Sequence, residues 1–232
     1  MSIRIQYDPD FACKRWIGYF DLLGMKQLYK SGDPISIFLA LSKSIEELQK
    51  RATAWEDVGY AWFSDTIIIY TKDDSACSFT VIDNITRWYF YFLISGGVPV
   101  RGAVACDKFY SDKKNSLFFG EALIEAYEYG EAQDWIGFLL CPSAVKQLEE
   151  LDLHAEKRLN YVYTDIPYKI EHDKFLDHLP ACLVGNWVSE NPIIEKLKDM
   201  KSRIEKEEIK NKYDRTIKFL ETNRRKNFNI DR

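Results

Sequence analysis

Two carboxylates stand where an acid adds nothing to a core. Asp21 closes the apolar and aromatic run "RWIGYFDLLGM", three residues before Gly24, and Asp65 interrupts "YAWFSDTIIIYT". Hard divalent cations take oxygen ligands, and a magnesium site serving a triphosphate uses one or two carboxylates, with the phosphates supplying much of the rest. Two acids at the ends of neighbouring strands can hold two such ions for an in-line attack at phosphorus. Gly24 leads into a helical-looking segment, and free N–H groups at a helix start suit phosphate oxygens. Each acid also has a plainer role. Asp is a common N-cap, which suits Asp21, and a common turn residue, which suits Asp65. Spacing alone does not choose between these readings.

The surrounding pattern supplies the elements that must position the pair. Residues 15–21 read as a buried strand ending at Asp21. From Lys26 to about Ala54 the period is helical, with Ile37, Leu41, Ile45 and Leu48 on one face, and "SGDP" at 31–34 marks a turn and a new helix start at Pro34. Val58–Phe63 and Thr66–Thr71 are separated only by Ser64-Asp65, which predicts a hairpin with Asp65 at its tip. A helix over 75–95, a turn at Gly96-Gly97 and a strand over about 98–106 follow. Residues 118–133 read as a helix entered through Gly120, then come an apolar run over 135–141 and a strand over 161–166. Ile193, Leu197, Met200 and Ile204 mark an amphipathic helix. Tyr213, Ile217 and Leu220 either continue it or form a second one. This order predicts an α+β fold, an antiparallel or mixed sheet with helices on one face.

Bulk properties narrow the classes. The 232 residues are 46% hydrophobic, with fourteen Tyr, fourteen Phe and six Trp, enough for one large core or a core with an appendage. Net charge is −4, which argues against a nucleic-acid partner for the whole molecule. Residues 195–232 carry 13 Lys+Arg against 8 Asp+Glu, or +5, leaving −9 for the rest; this basic tail reads as a solvated helix face, or as a surface for an acidic partner. No stretch reaches the roughly 18 apolar residues of a membrane span, and "MSIRIQYDPD" lacks a signal peptide's apolar centre. Five scattered cysteines with no CxxC pair read as reduced thiols of a cytoplasmic protein. The three histidines, His154, His172 and His178, all lie far from the acids in sequence, which argues against a zinc or Ser-His-Asp site.

With these motifs assembled, residues 14–145 resemble the catalytic domain of class III nucleotidyl cyclases. "YFDLLGM" is similar to that family's first-strand motif, "FSDTIII" to its hairpin acid, "VRGAVACDKF" to the next strand, and "FFGEALIEAYEYGEA" to its dimer-facing helix. The wording is most similar to the bacterial Pycsar antiphage cyclases, which make cyclic UMP or cyclic CMP. The resemblance implies a ferredoxin-like cyclase core over 1–170, a helical extension over 171–232, and a homodimer. It implies two Mn²⁺ or Mg²⁺ ions on Asp21 and Asp65 with the Leu22 carbonyl. Phe20, Leu22, Leu23 and Gly24 would lie around the triphosphate, and Lys108 would be a basic phosphate ligand.

The departures from the family pattern are informative. The purine cyclases' Asn and transition-state Arg positions fall on Ile124 and Glu128, the purine-reading Lys falls on Ala61, and the acid after Gly120 is Glu121. Arg101 is the substitute cation the sequence offers, while Tyr60 and Trp62 offer surface for a base. Glu121, Glu125 and Glu128 also read as the wet side of their helix. The implied reaction converts UTP to 3′,5′-cyclic UMP and pyrophosphate. The alternatives are a cytidylate cyclase and a catalytically silent nucleotide-binding or dimerisation module.

Overall fold

The computed structural model describes residues 13–24, 34–54, 58–153, 160–169, 174–185 and 192–223. Within them lie eight strands and six helices: β1 (Cys13–Leu22), α1 (Pro34–Ala54), β2 (Val58–Phe63), β3 (Thr66–Thr71), α2 (Ala76–Ser95), β4 (Val100–Asp112), β5 (Leu117–Phe119), α3 (Glu121–Ala132), β6 (Phe138–Leu140), α4 (Pro142–Glu150), β7 (Tyr161–Asp165), β8 (His178–Cys182), α5 (Ile193–Ser202) and α6 (Glu207–Asn223). The strands form one mixed sheet in the order β2-β3-β1-β4-β6-β8-β7, with β5 paired to β4. β4 and β6 are parallel; the other pairs are antiparallel. This is the expected α+β class.

Helices cover both faces of the sheet, not one. Phe20 packs edge-on against Tyr89 of α2, while its neighbour Tyr19 points the other way and meets Tyr127 of α3 edge-on. Trp16, Ile17, Tyr19 and Phe20 are all buried. A run buried on consecutive residues, rather than alternate ones, belongs to a central strand covered on both sides. Gly130 makes the α3 contact possible. A Cβ there would lie 2.8 Å from the Tyr19 ring, so any larger residue would lift the helix off β1.

Several boundaries differ from expectation for local reasons. The helix predicted from 118 begins at Glu121, because Gly120 has φ +144°, a conformation open essentially to glycine alone. Phe118 and Phe119 before it form β5, with Phe119 stacked on Tyr110. The α4 N-terminus lacks a cap from its own N-cap residue Cys141. Glu125 supplies one from α3, accepting from the Ser143 N–H at 3.2 Å and from the Ser143 hydroxyl. Glu125 is therefore a helix cap, whereas Glu128 meets Lys174 at 2.5 Å on the surface.

β8, which the sequence pattern does not announce, sits between β6 and β7. The boundary expected at 170 thus divides a strand pair of the sheet, and the helical portion starts with α5. The last two apolar stripes form separate helices, α5 and α6, broken at Arg203–Lys206. The helical segment predicted from Lys26 to residue 33 lies outside the described residues. Among those residues no helix is long and apolar enough to cross a membrane.

Candidate functional site

Antiparallel register sets the site. Asp21 pairs with Arg101 of β4 on one side and with Thr66 of β3 on the other, and Thr66 pairs with Phe63 of β2. Residues directly opposite in such ladders share a face, so this row of four runs across the sheet on the α3 side. Arg101 is almost wholly buried, its side chain 5% exposed. Its Nε and Nη2 both donate to Asp21 Oδ2, at 3.0 and 2.8 Å. Nη2 also meets Glu131 Oε2 at 2.7 Å. Nη1 donates to the carbonyls of Glu131 and Gln133, at 2.9 and 3.1 Å. All three guanidinium nitrogens thus have acceptors and no face is left to reach outward. The arrangement fixes Asp21 by one oxygen and leaves Oδ1 out of the Arg101 clamp.

Two carboxylates compete for this one guanidinium. Burial pushes the Asp21 carboxyl up to about 6, with Arg101 opposing and Glu131 reinforcing the rise. Glu131 moves the other way, held below its usual range by Arg101 and by the hydrogen bond to Asp21. The pair therefore retains a proton into mildly acidic solution, on Asp21, the more buried member. Because the folded value lies above the unfolded one, the stabilisation from this proton is complete below the ordinary value of 3.8 and is lost as pH rises through about 6. A ¹³C NMR titration of metal-free protein should show an aspartate carboxyl with a midpoint near 6, moved down in Glu131→Gln. An Asp21 carboxyl titrating in the ordinary aspartate range would contradict this environment.

Asp65 occupies the second position of the hairpin turn, after Ser64 with φ +56°. A positive φ at the first position only fits a type II′ turn. The Trp62 indole N–H donates to the Ser64 carbonyl at 2.6 Å and pins the turn. The Leu22 N–H donates to the Asp65 carbonyl at 2.9 Å, so the backbone of the second acid is tied to the residue after the first. Asp65 is half-buried.

The other expected site residues divide. The N–H groups of Leu22 and Leu23 are both occupied, the latter by the Pro99 carbonyl at 2.8 Å, so neither is open to a phosphate. Gly24 turns with φ +68°, and the helix expected beyond it is outside the described residues. The Phe20 ring is buried on the opposite face of the sheet, stacked on Phe138. Tyr60 is on that face too. It pairs with Ile69, which pairs with Gly18, an odd number of residues from Asp21, and side chains alternate along a strand. Gly59, Ala61 and Phe63 are the β2 residues that share Asp21's face. Lys108 pairs with Lys14, about 23 Å along the sheet from Asp21, and is not brought to the acids within the chain.

Two groups at the site are absent from the expectations drawn from the sequence. Glu131 is one. Lys169 is the other, with its ammonium 3.6 Å from Glu131 Oε2 and 40% exposed. Its pKa is lowered by burial and then by Arg101. Lys169 reaches this place because its N–H donates to the Ala132 carbonyl at 2.9 Å, next to the bridge between Gln133 and Tyr168. No spacing in the sequence signals that contact.

As a metal site the donor set is hard: two carboxylates and backbone carbonyls, which suit Mg²⁺ or Mn²⁺. No three His, Cys, Asp or Glu side chains among the described residues converge into a cage of their own. The set leaves positions on such an ion open, which a phosphate-bearing ligand would complete.

The architecture has known counterparts. Solved structures similar to this chain include the catalytic core of a rhodopsin–guanylyl cyclase with converted specificity in complex with ATPαS. It is 9% identical with TM-score 0.56, covering 74% of this chain and 96% of that one. The monomeric guanylyl cyclase domain of the RhoGC fusion protein from the aquatic fungus Blastocladiella emersonii is 11% identical with TM-score 0.55, covering 75% and 96%. A Trypanosoma brucei adenylate cyclase in its monomeric state is 10% identical with TM-score 0.51, covering 72% and 87%. No family model matches the sequence, and neither does any curated protein. The fold is that of class III cyclase catalytic domains.

Proposed function

We propose that this chain is a metal-dependent nucleotidyl cyclase that converts a pyrimidine nucleoside triphosphate, UTP before CTP, to the 3′,5′-cyclic monophosphate and pyrophosphate. One observation carries the reading: Asp21, clamped by a buried arginine through a single oxygen, and Asp65, at a turn hydrogen-bonded to Leu22, stand at adjoining strand ends. Two Mn²⁺ or Mg²⁺ ions on Asp21, Asp65 and the Leu22 carbonyl would supply charge neutralisation at the triphosphate and an acidified ribose 3′-hydroxyl. Asp21 and Asp65 bind and orient, and Lys169 is the cation with exposed surface for phosphate oxygens. Arg101 acts through Asp21 as a positioning residue, since its donors are already used.

The pyrimidine preference rests on the missing purine-reading lysine, with Ala61 in its place on Asp21's face. The wording shared with Pycsar cyclases supports cyclic UMP and a role in antiphage defence. The test is incubation with each of the four NTPs and Mn²⁺ and identification of products by mass spectrometry. Cyclic UMP as the main product supports the reading, cyclic CMP moves the substrate to CTP, and cyclic AMP or GMP in equal yield defeats the pyrimidine assignment. Complete absence of pyrophosphate release would favour the silent nucleotide-binding module.

The enzyme is proposed to work as a homodimer through α3 and the hairpin. Of the helix's apolar side, Ala126 is buried on the sheet and Leu123 half-buried, while Ile124 and Tyr127 stay 58% and 51% exposed and Phe63 stands 81% exposed at the hairpin. Large apolar groups held open on one side of a molecule suit a partner surface. Activity per chain should fall on dilution, and Ile124→Lys should shift that fall to higher protein concentration by about tenfold or more. A monomer by sedimentation at concentrations of full activity would refute the dimer.

A further inference from the structure

Helix α6 belongs to no part of the acid site, yet it grips the segment directly behind it. On one face of α6, Lys212 and Arg215 both engage the Asp134 carboxylate. Arg215 Nη1 also donates to the Asp134 carbonyl at 2.8 Å. Next along the helix, the Thr216 hydroxyl accepts from the Ile136 N–H at 3.0 Å and donates to the Ile136 carbonyl at 3.1 Å. Phe219 lies edge-on to Trp135, ring centroids 5.0 Å apart. Contacts at helical spacing from Lys212, Arg215, Thr216 and Phe219 thus hold residues 134–136.

The residue just before this segment is Gln133, fully buried. Its carbonyl accepts from Arg101, its side-chain amide donates to the Gly102 carbonyl at 3.0 Å, and its Oε1 accepts from the Trp135 indole at 2.8 Å. Arg101 in turn clamps Asp21. From Asp134 through Gln133 and Arg101 to Asp21 every residue is buried or half-buried, with only Arg215 exposed at the outer end, so a shift of 134–136 moves the carbonyl that sets the guanidinium, and with it the carboxylate.

We infer that α6 is a positioning element of the catalytic site, acting through Asp134 and Gln133 on the Arg101–Asp21 clamp. This deepens the cyclase reading above and rests on it. Asp134, Lys212, Arg215 and Thr216 touch no substrate; they orient the Asp21 carboxylate that would hold an ion. Outer groups that orient a metal ligand typically change metal affinity about 10–100-fold when removed. The chain of contacts here is longer, so the lower end is expected.

The experiment uses the full chain with Lys212→Met/Arg215→Met, and Lys212→Arg as the conservative control. Mn²⁺ binding to nucleotide-free protein is measured by EPR of the free ion, and turnover is measured as a function of Mn²⁺. The double variant should bind Mn²⁺ about tenfold more weakly and need correspondingly more for half-maximal turnover, with kcat at saturating Mn²⁺ near wild type. Lys212→Arg should match wild type. A folded double variant with unchanged Mn²⁺ binding and half-saturation overturns the inference. So does a uniform loss of kcat at unchanged half-saturation, because that is loss of folded enzyme. Should the double variant fail to fold, Thr216→Val is measured in the same two ways: weaker Mn²⁺ binding supports the inference, and unchanged binding overturns it. If wild type turns over no nucleotide, the cyclase reading fails; an active wild type with unaffected variants sinks the α6 inference alone.

Discussion

Asp21→Ala and Asp65→Ala are each expected to lower turnover by on the order of 10²-fold or more, the scale at which single electrostatic catalytic groups act. The two differ in what else they disturb. Asp65 is a half-buried turn residue whose structural bond to Leu22 is made by its backbone carbonyl, so Asp65→Ala should keep the wild-type melting temperature. Asp21 accepts two bonds from the buried Arg101. Its removal leaves guanidinium N–H groups without their acceptor, which costs about 1–3 kcal/mol or more for a charged group. Asp21→Asn keeps a neutral acceptor for Arg101 while removing the negative charge that an ion requires. It should therefore fold better than Asp21→Ala and be equally inactive. Near-normal cyclisation in folded Asp65→Ala or Asp21→Asn would sink the two-acid site.

Arg101→Met should have the largest effect on stability of any substitution at the site. The guanidinium neutralises two carboxylates and satisfies two backbone carbonyls at the end of α3. Removing one partner of a buried ion pair costs about 3–5 kcal/mol, because a charge is left without compensation. Here the Asp21–Glu131 pair can take up a further proton, which limits the cost in acid and makes it greatest at high pH. Urea unfolding on the acid and alkaline sides of the Asp21 midpoint should show a loss of stability that is larger on the alkaline side. Arg101→Lys keeps the charge but not the planar fork that serves four acceptor groups at once, so it should rescue part of the stability and little of the activity. Equal stability of Arg101→Met and wild type in alkaline solution would contradict the clamp.

The periodic parts of the fold are legible because they depend on neighbours in sequence. The apolar run before Asp21, the two-residue gap at Ser64-Asp65 and the helical stripes of α2 and α5 are all patterns of residues close in sequence. β8 escapes such reading because "HLPAC" carries a proline and no alternation, and its strand character comes from lying between β6 and β7. Tyr60 looks like a base-reading residue in the sequence because its ring and hydroxyl offer surface for a base beside the hairpin acid. The register of β2 on β3 sends its ring to the other face, and a one-residue difference in a strand is the whole difference between facing a site and facing away.

The pair of acids and their places at strand ends are already written in the order of residues. Local backbone preferences suffice to end β1 one residue beyond Asp21, at Leu22, and to turn the chain at Asp65. What surrounds the acids is a matter of three-dimensional packing. Arg101 lies 80 residues from Asp21, and Glu131, Lys169 and α6 lie farther along the chain still. Their meeting depends on sheet order, on the close approach that Gly130 allows, and on a loop held from behind. Such contacts arise between distant segments, and no period, cap or turn in the chain encodes them locally.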